Sequence, residues 1–306
     1  MMISFCGCAR TPGTVIDITP PPVEAQPPAV EPEPDAAWTP GPDATAQIGD
    51  TAEASGKGGD IAQETPNMAE PVETEKPVET VKPMETEKPT DTPAPRDVSG
   101  QPLKGIVIGV DPGHQAHANR DPEPVSPGSD ETKHKVSSGT KGIETGIAEY
   151  KVNLAVGLLL QKLLEKAGAT VIMTRTTDDV DISNVERAQL FNEKRTDYAI
   201  RLHCNGSDDH DKRGAFMLVP KENPFKADCE RAAQLVIDEY CAATGIKNRG
   251  LTYRGDQTGF NWCERMVINI EMGHMTNADE DKLLTNADFQ VKMAQGIFNG
   301  ILKFYE

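Results

Sequence analysis

Between residues 106 and 304, short apolar runs alternate with helical patterns, and this alternation limits the fold more than any other feature of the chain. Strand-like runs cover 106–110, 170–174, 198–202, 215–219 and 266–270. In the intervening stretches apolar residues recur every third or fourth position, the spacing that gives a helix one buried face. Residues 150–166 put Leu154, Leu158, Leu159, Leu163 and Leu164 on one side, and Gly168 supplies the stop. Helices are likewise expected over 184–194, 227–243 and 287–304, the last turning Phe289, Met293, Ile297, Phe298 and Ile301 inward. Strands and helices alternating in this way predict an α/β domain. Its sheet is mostly parallel and twisted, with helices on both faces, three layers in all.

Composition marks where that domain begins. Residues 1–100 hold 17 of the 24 prolines and 18 acidic against 6 basic residues, a net charge of −12 out of −17 for the whole chain. Such a segment has too little apolar surface to offset its ordering entropy, so a disordered Pro-rich stretch is expected ahead of the domain. From Glu73 a hexad repeats as Glu-Thr-Glu-Lys-Pro-Val, Glu-Thr-Val-Lys-Pro-Met and Glu-Thr-Glu-Lys-Pro-Thr. Regular prolines favour an extended spacer of about 3 Å per residue, a composition common in tethers that hold bacterial surface proteins off a membrane. Phe5-Cys6-Gly7-Cys8 resembles the end of a bacterial lipoprotein signal, with Cys8, ahead of Cys6, as the lipid anchor. An amino terminus without function is the other reading. The expected boundaries are a truncated signal or anchor region over 1–10, a linker over 11–103 and one folded domain over 104–306.

Several function classes drop out. Residues 101–306 carry 25 basic and 30 acidic residues, which leaves no nucleic-acid footprint. No apolar stretch approaches the roughly 20 residues of a membrane-spanning helix. The cysteines form no visible disulfide framework. Cys229 and Cys241 fall on one expected helix, about 18 Å apart at the helical rise, too far to pair.

The chemistry gathers where strands end. Asp111-Pro112-Gly113-His114 closes the first strand, because Pro112 removes a backbone donor and Gly113 admits unusual φ. Ligands of open α/β sheets collect outside the carboxyl ends of strands. His203 and Glu271 stand at the ends of two further strands, and Glu149 begins the helix after a long polar stretch. Two imidazoles, one carboxylate and a second carboxylate to spare make the inventory of a catalytic zinc site, with three protein ligands and an open position for water. Zinc lowers the pKa of bound water to about 7, and a carboxylate outside the coordination shell can take the proton.

The motifs around these residues resemble the zinc-dependent N-acetylmuramoyl-L-alanine amidases, a bacterial cell-wall hydrolase family. The resemblance runs from about Lys104 to the carboxyl terminus and rests on 108–114, 149–154, 171–175, 186–188, 200–205, 248–251 and 270–277. It implies one Zn2+ per domain held by His114, Glu149 and His203, with Glu271 as the catalytic glutamate. The implied reaction hydrolyses the amide between the lactyl group of N-acetylmuramic acid and L-alanine of the stem peptide. Peptidoglycan is then the partner, and the location is outside the cell, at the surface or wall. Asn205, Arg249 and His274 are the candidate substrate-binding residues, although His274 reads equally as a satisfied histidine at the sheet edge. A catalytically silent wall-binding or regulatory module of the same fold is one alternative, and a zinc hydrolase of another wall amide is the other.

Other residues carry structural readings. Gln115 and Arg201 depart from the family pattern, as does His274. Glu144 competes with Glu149 as a ligand but lacks the Asn-Leu helix pattern that follows Glu149. Arg175 and Arg187 are expected in ion pairs or on carbonyls, and Arg249 in a loop. His117, His134 and His210 are expected on the surface, and Cys204 as a buried thiol facing away from His203. The stretch 115–148 is expected to be a long loop bordering the site.

Overall fold

The computed structural model describes residues 100–306. The expectations for 1–99, namely the anchor region with Cys6 and Cys8, the hexad repeat and the disordered linker, lie outside the described residues. Leu103, assigned to the linker, is fully buried against the domain core.

In chain order the elements are β1 (Val107–Pro112), β2 (Asn119–Pro124), β3 (Thr132–Val136), α1 (Glu149–Lys166), β4 (Thr170–Met173), α2 (Asn184–Glu193) and β5 (Tyr198–Asn205). They continue with β6 (Ala215–Pro220), α3 (Lys226–Thr244), β7 (Asn248–Arg254), α4 (Thr258–Asn261), β8 (Val267–His274), α5 (Ala278–Leu284) and α6 (Ala287–Tyr305). The main sheet has the order β4-β1-β5-β8-β6-β7. The first four of these run parallel, β6 is antiparallel to β8, and β7 is parallel to β6. The sheet is mostly parallel, with one antiparallel seam.

Alternation along each strand sorts the layers. Tyr198, Ile200, Leu202 and Cys204 of β5 enter the larger core with α1, α3 and α6, whereas Ala199 enters a smaller core with residues of α2 and α4. Helices therefore cover both faces. The polar side chains of the site, including Arg201 and His203 on β5, share the face of Ala199. Local signals fix the helix on that side. Ser183 accepts from the Glu186 backbone N–H while the Glu186 carboxylate accepts from that of Ser183, a complete capping box at the start of α2.

Three expectations change. β1 does not stop before Pro112: Asp111 and Pro112 pair with Arg201 and Leu202 of β5. Val110 turns its carbonyl toward β4, where Thr174 donates to it, so Pro112 turns the same way two residues later. β4 has ended by then, and the missing donor of Pro112 breaks no ladder bond. Secondly, 115–148 is not a bare loop, because β2 and β3 form an antiparallel hairpin within it. Asn184 donates to the Lys135 carbonyl and Trp262 Nε1 to that of Pro124, which pins the hairpin to the domain. Finally, Arg249 lies on β7, an edge strand, and not in a loop. The polar sequence of β7 hides its strand character, since its residues are at most half-buried.

Candidate active site

His114 follows β1 at φ 61°, in the left-handed region that residues with a Cβ rarely adopt. Buried guanidinium groups hold this turn. Arg175 donates to the carbonyls of Pro112, Gly113 and Tyr150, and Arg187 to those of Pro112 and His114. Asp111, fully buried, accepts from Arg187 at 2.7 Å, from Arg201 at 2.8 Å and from the Thr174 hydroxyl at 2.6 Å. Burial pushes its carboxyl up, but the two guanidinium charges outweigh that and hold it well below the usual range. Gln115 belongs to the same network, accepting from Arg187 and from the Ile182 N–H.

The ring of His114 is oriented from behind. Its Nδ1 lies 2.9 Å from the Ser137 carbonyl and donates to it, which turns Nε2 toward Glu149 Oε1 at 3.2 Å. His203 brings Nδ1 to the same oxygen at 3.2 Å. Glu149 in turn accepts from the Thr140 and Cys204 backbone N–H groups, both at 3.0 Å, and from Asn153 one helical turn on. Donor atoms of His114, Glu149 and His203 all lie within 4.8 Å of one another. Among the described residues this is the one such cluster of histidine, cysteine and acidic groups. Glycines make room for it: a Cβ on Gly113 would collide with the His203 ring, and one on Gly139 would sit 2.5 Å from Glu149 Oε2.

Charge follows from this crowding. Burial raises Glu149, but His114 and His203 overcome it and hold the carboxyl well below its ordinary value. Burial opposes a charged His114, yet Glu149 prevails and raises it, while burial lowers His203 to about 4. Glu271 pairs in register with His203 on the neighbouring strand and stays outside the cluster of donors. Burial, helped by the Glu149 charge, pushes Glu271 up to about 8, against a hydrogen bond from Asn269 at 3.0 Å.

Residues 108–303 match the sequence profile of the N-acetylmuramoyl-L-alanine amidase family, about two thirds of the chain. The chain belongs to that family. N-acetylmuramoyl-L-alanine amidase Rv3717 of Mycobacterium tuberculosis is 27% identical over 212 residues, covering 66% of this chain and 87% of the relative. The germination-specific N-acetylmuramoyl-L-alanine amidase of Bacillus subtilis is 25% identical over 224 residues, covering 67% and 81%. The crystal structure of the amidase Ami1 from Mycobacterium smegmatis shares the fold at a TM-score of 0.62 and 24% identity, over 66% of this chain and 98% of that one.

In this amidase-family domain the remaining candidates separate by exposure. His274 is 3% exposed, its Nδ1 meeting the Gly214 carbonyl at 3.1 Å and its Nε2 the Asn205 amide at 3.2 Å. Both nitrogens are thus engaged, as in the satisfied histidine, and Asn205, half-buried, is the member of the pair nearer solvent. Arg249 is exposed and donates to the Arg213 carbonyl. Glu144 is exposed and pairs with Lys282 at 3.4 Å. His117, His134 and His210 are exposed, and Cys204 is buried in the core opposite His203. No helix of the described residues is long and apolar enough to cross a membrane.

Sequence reasoning assigned no role to Asn153, Ser137 or Asn269, each of which touches the site. The spacing of Glu149 and Asn153, four residues apart on a helix, is a signal for the first. Ser137 and Asn269 carry none, because their partners are set by the hairpin and by the sheet register.

Proposed function

We propose that this protein is a zinc-dependent N-acetylmuramoyl-L-alanine amidase that hydrolyses the amide between the lactyl group of N-acetylmuramic acid and L-alanine. The observation that carries the reading is the convergence of His114 Nε2, His203 Nδ1 and Glu149 Oε1 beside a separate carboxylate, Glu271. The donor set suits zinc: two neutral imidazoles and a carboxylate, with the Ser137 carbonyl fixing the His114 tautomer so that Nε2 keeps its lone pair for a metal. Zinc held by His114, Glu149 and His203 would supply a Lewis acid for the lactyl carbonyl and a water made acidic at neutral pH.

The chain's own residues do the rest. Glu271 accepts the proton of the attacking water and returns it to the departing amine of L-alanine. Asn269 donates to one of the Glu271 carboxylate oxygens and so orients the group. In this reading Asn205, backed by His274, is a polar contact for the peptide, and the exposed Arg249 of the edge strand meets a peptide carboxylate. The proposal extends to place: an exported enzyme working on peptidoglycan at the cell wall, with Cys8 as a lipid anchor and the Pro-rich segment as spacer.

Digestion of purified peptidoglycan by the full chain, with and without a chelator, tests the reaction. Stem peptides with free amino-terminal L-alanine are the expected products by mass, lost on chelation and restored by zinc. Glu271→Gln is expected to keep bound zinc and to lower turnover by at least a hundredfold. Retained turnover in that variant, or products cut elsewhere, would overturn the assignment.

A further inference from the structure

Beside the cluster of donors lies a cavity built around a guanidinium with a spare donor. Arg201 precedes His203 by two residues on β5, on the same face of the sheet, and is 5% exposed. Its Nε is taken by Asp111 and its Nη2 by Asn184, both at 2.8 Å. Nη1 has no protein partner among the described residues. It lies beneath Gly259, where a Cβ would collide with it, and both residues line a cavity of about 150 Å³ together with Lys133, Asp256 and Thr258. Thr258 is 6% exposed and its hydroxyl also has no protein partner among the described residues.

The charges around this cavity do not cancel. Asp111 is one carboxylate shared by Arg187 and Arg201. Asp256 is one carboxylate shared by Arg254 and Lys133. Each group leaves one positive charge over, in a chain that is strongly acidic as a whole. Glu271, on the next strand of the same face, is close enough for its charge to act on Arg201 and Arg254, but it is held by Asn269 and offsets at most one of the two surplus charges. A buried cation short of a counter-ion favours an anion, and the planar donors of arginine fit a carboxylate.

Distance narrows which carboxylate. Two residues of extended strand separate Arg201 from His203, about 7 Å. A substrate peptide extended at a similar rise, with its scissile amide at the donor cluster, brings a group on its second residue to the cavity. We propose that the cavity of Arg201, Lys133 and Thr258 is a subsite for the free carboxylate of the second stem-peptide residue. The proposal rests on the amidase reading above, which puts the scissile amide at the cluster.

The test compares two muramyl dipeptides that differ only in whether that carboxyl is free or a primary amide. The full-length protein loaded with zinc is expected to hydrolyse the acid with kcat/KM about tenfold above the amide, the difference residing in KM. Arg201→Lys keeps a charge for Asp111 and withdraws Nη1, and Lys133→Met empties the rim. Both bring the acid-to-amide ratio close to one. If Arg201→Lys fails to fold, Lys133→Met and Thr258→Val report the same ratio. A ratio of one in the unaltered protein, or a ratio that no variant moves, overturns the subsite and leaves the amidase reading standing. If neither dipeptide is hydrolysed, the amidase reading fails and calorimetry with the free alanyl dipeptides decides the subsite. Tighter binding of the acid by about tenfold supports it. Equal binding of acid and amide, or acetate binding as tightly as the acid dipeptide, overturns it.

Discussion

Glu271, the proposed base, is poorly solvated in the fold, and that makes it a burden on stability. Its carboxyl is pushed up to about 8 by burial and by Glu149, whereas in an unfolded chain it titrates near 4.5. The raised value means that the metal-free fold keeps this proton while the unfolded chain gives it up. Stability therefore falls as pH rises from about 4.5 to about 8, and the penalty is full above that. Glu271→Gln in the metal-free protein is expected to be more stable than the unaltered chain at pH 8, by on the order of 2 kcal/mol, with the gap closing below pH 5. Urea unfolding at several pH values checks this, and equal stability at pH 8 would count against it. Asp111 shows the opposite balance, a buried carboxylate that stays charged because Arg187 and Arg201 face it. The residues at the site were legible where they sit beside local punctuation, as His114 does after Pro112-Gly113. Ser137 was not, since nothing near it in sequence says that a hairpin will lay its carbonyl on the His114 ring.

Among the elements, the apolar periods marked the strands and helices that bury a face, and missed those that do not. β7, with half-buried or exposed residues throughout, and the charged β2 and β3 have no such period to read. The helix pair α3 and α6 owes its closeness to two glycines on α6. A Cβ on Gly300 would collide with the Val236 Cα, and one on Gly296 would lie 2.7 Å from the Tyr240 Cα. The obstacle is backbone, which cannot rotate away. Gly300→Ala is therefore expected to destabilise the domain by about 1–3 kcal/mol, even though alanine is the better helix former. Equilibrium unfolding measures the change, and a variant as stable as the parent would show that the two helices can separate without loss.

At the scale of the molecule, the donor cluster brings together residues from the end of β1, the start of α1 and the carboxyl half of β5. Such a site exists only in the folded chain, so the proposed binding of zinc there would be coupled to folding. Free zinc at about a hundred times its dissociation constant is expected to raise the unfolding free energy by about 2.7 kcal/mol. His203→Ala should lose that gain, and a thermal midpoint indifferent to zinc in the unaltered protein would sink the metal assignment. The sequence by itself determined the layered α/β architecture, because strand and helix periods are local and their alternation admits few packings. It also singled out His114, Glu149, His203 and Glu271, since their motifs stand at element ends. Only the tertiary structure decided what surrounds them. Which carbonyl orients the His114 ring, which amide holds Glu271, and that Arg201 lines a cavity all depend on strand register and on where a hairpin comes to rest. Those are long-range facts, fixed by packing between segments far apart in the chain, and no local pattern records them.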